Sequence, residues 1–113
     1  MEADAKDNNV SIIVEQMPMF PGGEKAMNEF IAENLRFPAS ATESGISGKV
    51  FASFIVRTDG SITDIQILKG LSKDIDNEVV RVISMMPRWK AGEQNGKKLD
   101  VKYNIPINIS LQH

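Results

Sequence analysis

Side chains that ordinarily carry out catalysis are scarce in this 113-residue chain: its one histidine is the terminal His113, and it has no cysteine. Ser/His and Cys/His nucleophilic pairs, thiolate metal sites and disulfides therefore cannot be assembled. Two carboxylates can still divide general acid and base work, and Asp59, Asp64, Asp74, Asp76 and Glu78 are of the right type. Most of these have a structural use as well: Asp59 in a turn, Asp74 as a helix cap, Asp76 and Glu78 on a helix surface. Gly22-Gly23-Glu24-Lys25 has the glycines and lysine of a phosphate loop. The GxxxxGK[ST] spacing and the strand that should lead into it are missing, so these glycines read as a loop and helix entry. No catalytic residue, metal or cofactor is expected.

Two further groups bear on binding. Arg81, Arg88, Lys90, Lys97, Lys98 and Lys102 gather toward the C-terminal third. They read as helix-dipole compensation and a solvated face, the alternative being a patch for an acidic peptide or cell-wall polymer. Trp89 reads as an apolar plug rather than a binding anchor. Net charge is -2, so there is no global attraction to phosphate backbones, and nucleic acid is not an expected partner. The cysteine-free composition fits the cytoplasm and a bacterial periplasm equally. No run approaches the roughly 20 apolar residues that cross a bilayer, and Met1 to Asn9 lacks the basic start and apolar stretch of a signal peptide. If the protein works outside the cytoplasm, a targeting or anchoring segment precedes what is seen here.

These residues must be positioned by one domain, since 113 residues with 42% hydrophobic content support a single core. Residues 1–16 read as a flexible lead-in containing a short β-branched run, Val10 to Val14, and the fold is expected over 17–113. Met27, Phe30, Ile31 and Leu35 recur at helical spacing, which predicts a helix from Gly23 to Leu35. Pro38 to Ser44, with Gly45 after it, suits one extra helical turn. Lys49 to Arg57 and Ser61 to Lys69 are β-rich runs joined by Thr58-Asp59-Gly60, where Asp-Gly would supply the positive backbone angles of a tight hairpin. In the second run Ile62 and Leu68 are out of phase with Ile65 and Ile67, which predicts a bulge or a sheet covered in part on both faces. Asp74 is expected to cap a second helix whose buried stripe is Ile75, Val79, Val82, Ile83 and Met86. Pro87 ends it, and Gly92 to Gly96 reads as a loop.

The most regular pattern comes last. Leu99, Val101, Tyr103, Ile105, Ile107, Ile109 and Leu111 alternate with Asp100, Lys102, Asn104, Pro106, Asn108 and Ser110, the signature of a long strand with one core face. A hairpin, a crossover helix and a third strand close most simply with that strand at a sheet edge. The proline agrees, because it has no amide hydrogen to give a neighbour and is confined to edges, starts and bulges. Without a bulge, Lys102, Asn104 and Asn108 would offer their amides outward, while Tyr103, Ile105 and Ile107 bond inward. A long open edge invites another chain. The expected binding site is therefore the backbone of Val101, Lys102, Tyr103, Asn104, Ile105, Pro106, Ile107, Asn108 and Ile109, and its visitor an extended peptide. The rivals for that edge are the chain's own Val10 to Val14 and a twin subunit in a homodimer.

In this order and spacing, several motifs make the chain resemble the C-terminal domain of TonB in its Bacteroidetes-type form. They are the FPGG entry (Phe20 to Gly23), Phe37-Pro38 to Ala41, Gly48 to Val50, the Asp-Gly hairpin, Pro87 to Gly92, and the closing Ile105-Pro106-Ile107. The resemblance spans Met17 to Leu111 and implies an α+β fold: two helices and a three-stranded antiparallel sheet with the last strand at its edge. It further implies a periplasmic domain, held by an inner-membrane anchor and proline-rich spacer, which takes energy from ExbB/ExbD-type partners. Outer-membrane receptors for iron complexes, cobalamin or glycans would dock their TonB box as a strand along Val101 to Ile109. A ligand-sensing or scaffolding module in another envelope protein is the alternative, and a small enzyme a third, against which the lack of histidine and cysteine argues.

Overall fold

The computed structural model describes residues 10–11, 14–37, 39, 45 and 47–110. The elements run β1 (Val10–Ser11), α1 (Gly23–Asn34), β2 (Ser47–Val56), β3 (Ile62–Lys69), α2 (Lys73–Ser84), β4 (Gly92–Gln94) and β5 (Lys97–Ser110). Apart from Ala39 and Gly45, the helical turn expected over Pro38 to Ser44 and its following glycine lies outside the described residues, as do Ile12 and Ile13 of the first β-branched run.

The sheet has the order β1-β5-β2-β3, with β4 pairing β5 outside that path. The antiparallel β5-β2-β3 core is the three-stranded sheet expected, and two short strands extend it. β2 is apolar on one face, where Val50, Ala52, Phe54 and Val56 are fully buried. The same face of β5 contributes Val101, Ile105, Ile107 and Ile109, and α2 lays Ile75, Val79, Val82 and Ile83 into the same core. Alternation of period two against a stripe of period 3.6 is what lets a helix and a sheet share one apolar layer. Met27 and Ile31 of α1 complete it.

β3 is irregular, as its phase break implies. Its register with β2 shifts between Phe51 and Ala52 and again between Ser53 and Ile55, and Asp64 takes a positive φ of 53° at the second shift. These are bulges that carry extra residues of β3.

Three local readings are corrected. The N-cap of α2 is Ser72, not Asp74: the Ser72 hydroxyl accepts from the Ile75 amide, and the Asp76 carboxylate reaches back to the Leu71 amide. In the β2–β3 turn only Gly60 has a positive φ, of 86°; the Gly60 amide donates to the Arg57 carbonyl, giving a three-residue loop. Gly60 also lies under Trp89, whose amide donates to the Gly60 carbonyl at 2.9 Å; a Cβ there would meet the Trp89 carbonyl oxygen at 2.2 Å. The two-residue hairpin with both central angles positive is Asn95-Gly96 (φ 54° and 76°), which turns β4 into β5 where a loop was expected.

Before α1 the chain is tied down rather than loose. Val14 is buried, Gln16 bridges Glu93, and Met19 bridges Lys90. Phe20 then enters an aromatic cluster with Trp89 at its centre, which has ring centroids 5.0 Å from Tyr103, 5.3 Å from Phe54 and 5.9 Å from Phe20. Trp89, 4% exposed, is the plug that joins the end of α2 to the sheet.

Candidate functional site

The β2–β5 register is unbroken, from Ser47 opposite Ser110 to Val56 opposite Val101. Phe51 lies opposite Pro106 in that ladder. A residue without N–H can only occupy a non-bonded pair, so the even residues of β5 turn their backbone groups away from β2 and the odd ones toward it. Lys102, Asn104 and Asn108 thus direct both N–H and C=O outward, Pro106 its C=O alone, while Tyr103, Ile105, Ile107 and Ile109 bond inward to Phe54, Ala52, Val50 and Gly48.

The outer edge divides into two parts. Its head is occupied where Asp100 and Val101 pair in parallel with Val10 and Ser11, whereas β4 pairs Lys97 to Leu99 from the β2 side: the Glu93 N–H and C=O bond to Gln16, which leaves odd-numbered Lys97 and Leu99 facing β4. Val101 lies between Ser11 and Val56 and has neighbours on both sides. From Lys102 to Ile109, no strand pairs with the outer edge among the described residues.

Side chains along this edge sort by face. Ile105, Ile107 and Ile109 are buried under the helices, and Tyr103 is half-buried against Trp89 and Phe54. Burial raises the Tyr103 phenol, with the Glu24 carboxylate adding to the shift, so its hydroxyl is neutral at ordinary pH. Lys102, Asn104, Pro106 and Asn108 occupy the solvent face.

α1 overhangs the far part of the edge. Asn28, Ile31, Ala32 and Leu35, spaced as one helical face, line a groove of about 330 Å³ together with Pro106, Ile107 and Asn108. α1 is held there by α2: the Glu78 carboxylate accepts from the Arg36 amide and the Arg81 guanidinium, which also donates to the Asn34 carbonyl at 2.7 Å. The Arg81 hydrogen bond, chiefly, holds the Glu78 carboxyl below the usual glutamate range, and Glu78 in turn raises Arg81. None of the four α1 residues lining the groove was among the expected site residues: Ile31 and Leu35 belong to the stripe that packs the core, and Asn28 and Ala32 flank it at helical spacing.

The candidate carboxylates are dispersed rather than paired. Asp59 binds Arg88 and the Ser61 amide, and Ser61 with Arg88 holds it well below the ordinary aspartate range. Arg57 joins Asp64 at 2.8 Å to Asp100 at 3.1 Å, tying the β2–β3 hairpin to the start of β5. Among the described residues no three His, Cys, Asp or Glu side chains are grouped to hold a metal ion. Arg81 stands in the last turn of α2, as dipole compensation requires, and is also ion-paired to Glu78; Arg88 pairs with Asp59, and Lys90, Lys97, Lys98 and Lys102 are exposed as a solvated face.

Residues 33–111 match the family model of the Gram-negative bacterial TonB protein C-terminal domain. A TonB protein of Helicobacter pylori strain J99 is 43% identical over 84 residues, 73% of this chain and 28% of that protein. TonB of strain 26695 is 43% identical over 47 residues, 42% of this chain and 16% of its own length. The chain thus spans under a third of the curated relatives it matches. Two solution structures of the H. pylori TonB C-terminal domain, each 28% identical, superpose at TM-scores of 0.60 and 0.54. They cover 77% and 75% of this chain, and 91% and 77% of theirs. By family model, sequence and fold together, the chain belongs to the TonB C-terminal domain family.

Proposed function

We propose that this domain is the receptor-grasping end of a TonB-type energy transducer, and that the TonB box of an outer-membrane receptor adds as a strand along the outer edge of β5 from Lys102 to Ile109. The observation that carries this reading is the alternation set by Pro106, which turns the N–H groups of Lys102, Asn104 and Asn108 and four carbonyls toward solvent on a strand otherwise committed to β2. In this reading residues 17–113 form the receptor-binding domain and residues 1–16 the lead-in to it. The domain works in the periplasm as an adaptor without catalytic chemistry. An inner-membrane anchor and ExbB/ExbD-type partners act through sequence preceding this chain, and the cargo is an iron complex, cobalamin or a glycan.

The mechanism follows from the docking mode. Main-chain bonds lying across a strand are loaded together when the visitor is pulled along its length, so a small interface can bear force. Transient affinity, on the order of micromolar or about -8 kcal/mol, suffices for repeated grip and release. Because backbone groups make most of the contacts, one adaptor can serve several receptors. The test is a titration of a receptor TonB-box peptide into ¹⁵N-labelled protein. The amides of Lys102, Asn104 and Asn108 are expected to shift; shifts confined to α2 and β3 would overturn the reading.

A further inference from the structure

We infer that the groove between α1 and the free edge of β5 is a specificity subsite that takes one aliphatic side chain of the visiting strand. The inference rests on strand addition at that edge and adds to it a means of choosing among visitors.

The groove is continuous with the edge, since Pro106, Ile107 and Asn108 form one of its walls and also supply part of the open border. Cross-strand neighbours project to the same side of a sheet. Ile107 projects into the layer beneath the helices, where it is 4% exposed. A visiting residue opposite Ile107 must therefore point toward the α1 face made by Asn28, Ile31, Ala32 and Leu35. The residues on either side of it point to the opposite face of the sheet. Of a docked segment, then, this groove reads one residue, and α1 is the reader.

The lining fixes the chemistry. Ile31, Ala32, Leu35, Ile107 and the proline ring are apolar, Asn28 and Asn108 are the polar members, and no charged group lines the groove. A charged side chain would lose hydration there with no partner, whereas a valine, isoleucine or leucine would bury its surface against Ile31 and Leu35. At about 330 Å³ the groove has room for such a side chain. The incoming residue would also finish the partial burial of the α1 stripe, in which Ile31 is buried, Leu35 half-buried and Ala32 exposed.

The experiment uses a receptor TonB-box octapeptide, its single-alanine copies, and two proteins: the wild-type chain and Ala32→Trp, which lays an indole across the groove from an exposed helix position. Affinity is read by calorimetry and edge docking by the amides of Lys102, Asn104 and Asn108. In the wild type, alanine at one aliphatic position is expected to weaken binding roughly ten- to a hundredfold, the scale for losing one buried aliphatic side chain. Ala32→Trp should weaken the parent peptide by a similar factor and leave the copy carrying alanine at that position unchanged. If the edge amides still shift but the alanine scan is flat, or Ala32→Trp binds every copy like wild type, the subsite is refuted while strand addition stands. If no edge amide shifts with any peptide, both are refuted. The scan on the unaltered protein decides the question alone should Ala32→Trp fail to fold.

Discussion

Two adjacent proline substitutions on β5 should have opposite outcomes. Ile105 is 2% exposed and faces fully buried Ala52, with its N–H directed into the β2 ladder. Ile105→Pro removes that donor, leaves a buried carbonyl unpaired at about 1–3 kcal/mol, and cuts the packing of a core side chain. At least about 3 kcal/mol should be lost, a large part of the roughly 5–15 kcal/mol that holds a domain of this size. Asn104 has the opposite parity: its N–H points outward and makes no ladder bond, and two residues on Pro106 already occupies the equivalent place. Asn104→Pro should therefore cost less than about 1 kcal/mol of stability. It should, however, leave one visitor carbonyl without a donor, at about 1–3 kcal/mol of affinity, or roughly 5- to 150-fold in Kd. Urea denaturation measures the first effect and calorimetry with a TonB-box peptide the second. The reasoning fails if Asn104→Pro unfolds as readily as Ile105→Pro, or if it folds and binds the peptide as tightly as wild type.

Trp89→Ala should cost about 3–5 kcal/mol, since the indole is the hub of the aromatic cluster. Trp89→Phe should cost clearly less, because the buried indole N–H has no hydrogen-bond partner among the described residues; equal losses in thermal melts would contradict this. Glu78 has a lowered folded pKa, so its contribution is present above the ordinary glutamate value of 4.5 and is lost as pH falls through the lowered one. Glu78→Gln should cost about 1 kcal/mol at neutral pH, little because Arg81 is largely solvated. It should also flatten the acid limb of the stability curve, and a curve parallel to wild type would argue against the tether. Deleting residues 1–11 removes the strand on Asp100 and Val101, lengthens the open edge, and should tighten peptide binding; unchanged affinity would show that β1 does not compete.

How much of this was legible depended on whether a local pattern met local physics. β5 was legible because its alternation is unbroken and one proline labels the parity of every neighbour. The stripe of α2 and the apolar face of β2 were legible for the same reason. The cap was misplaced because Ser72 and Asp74 are both capping types two residues apart; the choice was made by Asp76 gripping the Leu71 amide, a contact invisible in one dimension. β4 was missed although Asn95-Gly96 is a strong hairpin signal, since Gly92, Glu93 and Gln94 have no β pattern and are held by pairing alone. The pairings of Gln16 with Glu93 and of Met19 with Lys90 were not legible, because isolated bridges leave no periodicity. The groove needed the packing of α1 beside β5, which depends on the Glu78 and Arg81 tether and on no motif within α1.

The ring of Pro106 has a bearing on crowding. A fourteen-residue strand of alternating isoleucines with a bare flank is the kind of segment on which identical molecules zip into fibres. Any stack of copies whose ladder crosses position 106 meets a blank rung there, and a pair arranged symmetrically about it sets two rings face to face with no hydrogen to share. The missing amide hydrogen thus removes one rung from any self-made ladder, and Pro106→Ala, which restores it, is expected to raise the tendency of copies to associate edge to edge.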